Sequence, residues 1–371
     1  ETALKELIAN FDAHADNYKI TKFVPASGAA SRMFKRLFAF LEEDASAAET
    51  DDFLIKFFKD IDKFAFAKSL DAQLQKQGIS LQEAKDQKKY HQIVKALLEG
   101  LGYGQLPKGL LEFHTYGDGA KTATAEHFTE GVQYASGKGG KVHLHFTVSP
   151  EHQKAFDAHV GQLKTHFKHT EVSFSQQDPA TDTIAVTPEN EPFREEDGSI
   201  LFRPAGHGAL IENLNQIDAD IVFIKNIDNV VPDHLKAETI RYKKALGGKL
   251  MQVQEQLFAF LHKLDEGVPE EELQQIAQFA QNTLMLNFKP GYGGLSAQEK
   301  AEYLKQLLNR PMRICGMVPN TGEPGGGPFW VEEKDGAKTL QIVETSQFDS
   351  SDPDAVKVLQ SATHFNPADL V

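Results

Sequence analysis

Asp220-Ile221-Val222-Phe223-Ile224-Lys225-Asn226-Ile227-Asp228-Asn229 decides how the rest of the chain reads. Its first half is a continuous apolar run between charges, the pattern of a strand buried on both faces. Such strands belong to parallel sheets covered by helices. Around it, strand and helix periods alternate. Strand signals fall at 21–26, 110–114, 142–148, 172–176, 312–318, 329–332 and 340–345. A hairpin is expected where 184–187 and 200–202 flank a turn at Asp197-Gly198. Helical periods cover 4–18, 151–167 and 208–217, and Pro232 opens a long helix followed by others to 308. From Met33 to Leu101 apolar residues recur at three and four, as in Phe34, Leu37, Phe38 and Leu41, then Ile93, Leu97 and Leu98. This is a helical insertion whose phenylalanines fill helix–helix contacts.

The expected architecture is α/β, with a mixed, mainly parallel central sheet flanked by helices and large helical insertions. Residues 1–35 and 106–245 would form the core, 36–105 a helical insertion and 246–308 a further helical segment. Residues 309–371 would supply strands that complete the core. In such folds ligands sit at the carboxyl ends of the strands, so the search for function belongs in the loops after them.

Composition limits the field. The 371 residues are 40% apolar and 25% charged, the balance of a protein with a sizeable core. Acids outnumber bases 53 to 39, a formal charge of −14, which argues against nucleic acid as the main partner. No apolar run approaches the roughly eighteen residues of a membrane span. A single cysteine, Cys315, excludes an internal disulfide framework and a cysteine-ligated zinc site, and points to a reducing, cytoplasmic compartment. Glu1-Thr2-Ala3 shows no leader pattern. The chain lacks an initiator Met and stops at Leu370-Val371 inside an apolar phrase, so a longer protein is expected.

Three loops after strands carry the candidate chemistry. In Pro25-Ala26-Ser27-Gly28-Ala29-Ala30-Ser31-Arg32-Met33-Phe34-Lys35, small residues let the main chain approach an anion, and Arg32 and Lys35 add charge at the start of a helix. It is not a P-loop, because the Gly-Lys-Ser/Thr ending is missing. A tight strand–helix turn with a solvated basic pair explains the same residues. Pro204-Ala205-Gly206-His207-Gly208 opens a helix with room for a ring or sugar beside Gly206, and His207 supplies a polar tip; a plain helix-start turn is the alternative. Asp228, a lone carboxylate between Asn226 and Asn229 at a strand end, is a candidate for holding Mg²⁺ against phosphates, or else a simple Asx cap. His143-Leu144-His145 places two imidazoles on one strand face, with His114 on another strand. That motivates a lesser reading as a metal hydrolase against an ordinary polar strand face.

Taken together, the three loops resemble sugar-nucleotide pyrophosphorylases. Ala26 to Met33 is similar to their A-G-G-x-G-[ST]-R-[ML] opening. Gly206-His207-Gly208 resembles the G-H-G segment of the UDP-sugar uridylyltransferase branch, and Asn226-Ile227-Asp228-Asn229 its N-x-D-N segment. More narrowly, 23–35 and the closing Thr363-His364-Phe365-Asn366-Pro367-Ala368-Asp369-Leu370-Val371 resemble a bacterial domain-of-unknown-function family numbered 4301. The resemblance implies a nucleotide-diphospho-sugar transferase fold and an Mg²⁺-dependent nucleotidyltransferase joining a nucleoside triphosphate to a sugar 1-phosphate. On this reading Arg32, Lys35 and Asp228 would be catalytic, with the metal on Asp228. Ala26, Ser27, Gly28, Ala29, Ser31, Gln177 (or Gln176), Gly206 and His207 would bind the nucleotide, and Asn226, Glu344 and Thr345 the sugar. Ser27 and Ala30 replace two motif glycines and Lys35 lies closer to the arginine than usual. A sugar-nucleotide-binding module without turnover is therefore the alternative.

Overall fold

The computed structural model describes residues 1–371 except 29, 31, 32, 118, 323 and 324, with the backbone alone for His207. The chain divides into two compact units, one of Glu1–Ala15 with Arg241–Val371 and one of Asp16–Ile240. Helix α1 (Thr2–His14) belongs to the first.

The second unit is built on β1 (Ile20–Pro25), whose six residues are all buried, Thr21 and Lys22 included, as in a central strand covered on both faces. An insertion follows it. Helices α2 (Lys35–Leu41), α3 (Asp52–Asp60), α4 (Ala67–Gln75), α5 (Leu81–Asp86) and α6 (Tyr90–Lys95) enclose a core of their own around Leu37, Phe40, Leu54, Phe58 and Leu97. Asp51 caps α3 through the Leu54 amide, and Ser80 and Glu83 form a capping box on α5.

The chain then makes a hairpin, β2 (Glu112–Tyr116) with β3 (Gly119–Thr122), before α7 (Ala123–Tyr134) returns to the sheet. Strand signal at 110–114 is thus realised two residues later, and in a ribbon apart from the main sheet. The cause lies in its side chains: His114 and Tyr116 both reach toward Glu126 of α7. Next come β4 (Val142–Thr147), α8 (Gln153–Leu163) and β5 (Thr170–Ser175). Short strands β6 (Thr183–Ile184) and β7 (Phe202–Arg203) pair antiparallel around inner bridges Val186–Pro192 and Arg194–Ile200, so the expected single hairpin is two nested turns. Helix α9 (Ile211–Asn215), preceded by a 3₁₀ turn at His207–Leu210, leads to β8 (Ile221–Lys225) and then α10 (Lys236–Glu266).

Strand β1 pairs parallel with β4 on one side and β8 on the other, and β4 pairs parallel with β5. The protein is therefore α/β, with a mainly parallel central sheet flanked by helices. Helices α7 and α8 cover one face, where Phe128 and Phe156 meet Phe146 with ring centroids 6.3 and 6.4 Å apart. From β5 the chain crosses back to β8 through α9, whose Asn213 donates to Ser175 Oγ on the opposite face at 2.8 Å. Right-handed crossovers require this change of face when the direction of winding reverses. The winding thus reverses between β1 and β8, and at such a point open α/β sheets bind ligands in the crevice outside the carboxyl ends of their strands.

The unit of Glu1–Ala15 and Arg241–Val371 holds α1 against α10, where Asn10 donates to the Gly248 carbonyl at 3.0 Å. Helices α11 (Glu270–Asn282) and α12 (Ala297–Leu308) share with α10 a core that includes Leu257, Ile276 and Leu304. In the strand-like region at 312–318 only β9 (Val318–Pro319) forms, while Cys315 bridges Leu370. Strands β10 (Gly327–Glu332) and β11 (Lys338–Val343) pair with each other; after α13 (Pro353–Gln360), β12 (His364–Phe365) pairs with β9. No described helix is long and apolar enough to cross a membrane.

Candidate functional site

Three segments meet at the carboxyl ends of β1 and β8. The Ala26 amide donates to the Thr147 carbonyl at 3.0 Å, anchoring the first loop on β4. The segment that leaves the insertion binds the same loop: the Ala30 amide donates to Leu106 O, and the Lys108 amide to Gly28 O. Lys108 then extends its ammonium to Asp228 Oδ2 at 2.7 Å. Both partners are part-exposed, with side-chain exposures of 29% and 40%, so the pair is loosely held and accessible. Asp228 Oδ1 has no partner among the described residues. The Asn229 amide donates to Asn226 O and closes the turn that presents this carboxylate.

The expected site residues are therefore distributed as follows. Ala26 is buried, Ser27 half-buried and Gly28 exposed, with open space where a Cβ would stand. Ala30 is buried in the core of the insertion, so its methyl takes no room on the solvent side of the loop. Lys35 is exposed at the start of α2. Ala29, Ser31 and Arg32 lie outside the described residues, as does the side chain of His207. Gly206 is exposed. Gln177 donates to Thr181 Oγ1 at 3.2 Å, and the Gln176 carbonyl accepts from Asn213. Glu344 and Thr345 belong to the other unit, where Glu344 and Gln347 form a reciprocal cap.

Helix α7 supplies what sequence patterning does not announce. Glu126, His127 and Glu130 are fully buried on it, at positions where an amphipathic helix ordinarily carries apolar side chains. Glu130 receives Lys22 of β1 at 3.1 Å and Lys225 of β8 at 2.9 Å, all three side chains being nearly or wholly inaccessible. Burial alone would raise the Glu130 carboxyl, but the two ammonium groups outweigh it and hold the group well below the usual carboxylate range. Buried lysines in two adjacent strands are the readable signal, since each needs a carboxylate. His127 meets the Ile227 carbonyl through Nε2 at 3.1 Å, leaving Nδ1 buried without a partner. Burial, aided by Lys22, pushes its pKa well down, so the ring is neutral.

Glu126 anchors a second network. It takes His114 Nδ1 at 2.8 Å, the Tyr116 hydroxyl at 2.6 Å and Lys236 Nζ at 2.5 Å. Asp233, which binds both Lys121 and Lys236, is pushed up by burial and down further by these cations, to about 2.

The three histidines of the metal-hydrolase reading have separate partners. His114 is on Glu126, His143 is half-exposed beside Glu171 at 3.4 Å, and His145 lies between the hydroxyls of Ser173 and Ser175 at 2.8 Å each. His145 stacks on Phe23 and is depressed by burial to about 4. Among the described residues no group of three or more His, Cys, Asp or Glu side chains is placed to hold a metal ion.

No curated protein matches the chain. A family model does, across residues 1–371, and the chain belongs to that family, described as a domain of unknown function (DUF4301).

Proposed function

We propose that the crevice between the carboxyl ends of β1 and β8 binds a nucleoside triphosphate and a sugar 1-phosphate, and that the chain is a nucleotidyltransferase joining them. The observation that carries this reading is the convergence of Gly28, Lys108 and Asp228 at the point where the winding of the sheet reverses, the place where open α/β sheets bind ligands. The sequence resemblance supplies the substrate class. A sugar phosphate oxygen attacks the α-phosphorus, an O–P bond forms, and pyrophosphate leaves. Such transfers need positioning and charge neutralisation and no side-chain nucleophile.

Lys108 is well suited to the charge. Its ammonium rests on Asp228 and can turn to a phosphate oxygen, with Arg32 and Lys35 of the first loop adding to it. The backbone of 26–31 would wrap the phosphates. Mg²⁺ commonly binds through one carboxylate and the substrate's own phosphates, and there it offsets developing charge. Asp228, whose Oδ1 has no partner among the described residues, fits that mode. The residues of Asp16–Ile240 alone carry the reading; Gln177, Gly206, His207 and Asn226 would face base and sugar.

One observation favours a binding module without turnover: Asp228, the carboxylate that would hold the metal, already carries a lysine. Pyrophosphate release from a panel of triphosphates and sugar 1-phosphates, with Mg²⁺, separates the two readings. Release that is lost in Asp228→Ala supports the transferase. Triphosphate binding without release supports the module, and neither binding nor release removes both.

A further inference from the structure

We propose that the chain also transfers a nucleotidyl group to a hydroxyl acceptor, with His114 as the general base. The inference rests on the crevice reading above for its donor, a nucleoside triphosphate.

The Glu126–His114 pair has the geometry of an oriented base. Glu126 is wholly buried and its carboxylate accepts the Nδ1 proton of His114. The ring's lone pair is therefore on Nε2, which has no partner among the described residues, and the side chain is 19% exposed. A base held by a third group is the arrangement that activates a nucleophile. The neighbouring groups are committed elsewhere. The Tyr116 hydroxyl donates to Glu126 and accepts from the Asp233 amide, and burial with Glu126 raises its pKa, so it stays a phenol. Lys236 is shared among Glu126, the Val231 carbonyl and Asp233. Lys121 rests on Asp233 and over the Tyr116 ring, 4.3 Å from its centroid. Of this set His114 alone keeps a basic nitrogen lone pair that no described residue engages.

The site adjoins the crevice through the loop after β8. His127, next to Glu126 in α7, binds the Ile227 carbonyl, one residue before Asp228. Tyr116 and Lys236 hold the same loop at Asp233 and Val231. A sugar phosphate is already ionised at neutral pH and needs no base. A poised imidazole serves an acceptor that must lose a proton, namely an alcohol or water. The acceptor oxygen attacks the α-phosphorus and its proton passes to Nε2. The new O–P bond replaces the bond to pyrophosphate, which leaves with the electron pair, while Glu126 stabilises the imidazolium.

The test uses the full chain with Mg²⁺ and each common ribonucleoside triphosphate in three arms: sugar 1-phosphate, glycerol, and water alone. Mass analysis distinguishes the glycerol ester from the free monophosphate, so the two hydroxyl sources are told apart. His114→Asn keeps a donor on Glu126 and removes the base; a melting curve confirms that it folds. The expected result is turnover in a hydroxyl arm that His114→Asn lowers ~10²-fold or more, at least tenfold more than it lowers the sugar-phosphate arm. Turnover with sugar phosphate but with neither glycerol nor water overturns this inference and leaves the proposed function standing. Equal losses in all arms, or hydroxyl turnover unaffected by the variant, also overturn it. Silence in every arm removes both.

Discussion

Asp228 and Lys108 restrain one another in the free chain, and each is expected to be released by the ligand. Lys108→Met leaves an exposed carboxylate behind, so its cost in stability should stay near or below about 1 kcal/mol. Its cost in pyrophosphate release should be ~10²-fold, the scale of removing one preorganised charge contact. A melting curve and a turnover assay on the same sample check both halves. Glu130 behaves oppositely. Glu130→Gln strands two buried ammonium groups and should destabilise the fold by about 3–5 kcal/mol in urea titration. The contrast shows which residues the sequence discloses. Asp228 stands out because it ends an apolar strand. Lys108 does not, because its partner is 120 residues away in the chain. Glu126 and Glu130 are hidden because the buried side of their helix is polar, and only the lysines inside β1 and β8 hint at them.

Among the elements, β8 is legible from its unbroken apolar run, β1 as a short strand running into a small-residue loop, and the insertion from the three–four spacing of its apolar residues. Helix α7 was not, since Thr124, Glu126, His127 and Glu130 occupy its buried positions. Of the hairpin β2–β3 the sequence shows only the strand signal at 110–114, and contacts with α7 place that strand in a ribbon apart from the main sheet. Helix packing offers a direct test in the other unit. A Cβ on Gly248 would run into the Leu7 carbonyl, a backbone atom of α1 that cannot turn aside. Gly248→Ala should therefore lower stability by about 1–3 kcal/mol or more, despite the better helix propensity of alanine. Amide exchange should show α1 losing protection first. Unchanged exchange in α1 would mean that this contact is not what seats the helix.

At the scale of the molecule, buried ionisable groups set the response to acid. His127 and His145 are neutral in the fold, held down by burial. Unfolding returns an imidazole to about 6.5, so below that pH the unfolded chain binds protons that the folded chain refuses. Stability should fall as pH drops from about 6.5, for His145 until about 4. Glu130, held down by its lysines against burial, adds stability that is present above the ordinary carboxylate value of about 4.3 and lost below it. Urea midpoints from pH 8 down to about 2 should decline in this order, and His145→Gln should flatten the upper part. The two nearly independent descents would identify the sheet's buried groups as the acid-sensitive part of the fold. The function hinges on the crevice. Hydrogen–deuterium exchange of the full chain, with and without a magnesium–triphosphate complex, measures it most directly. Slowed exchange in peptides covering 26–34 and 226–229 is expected. Unchanged exchange in both, or protection confined to other segments, would contradict the account.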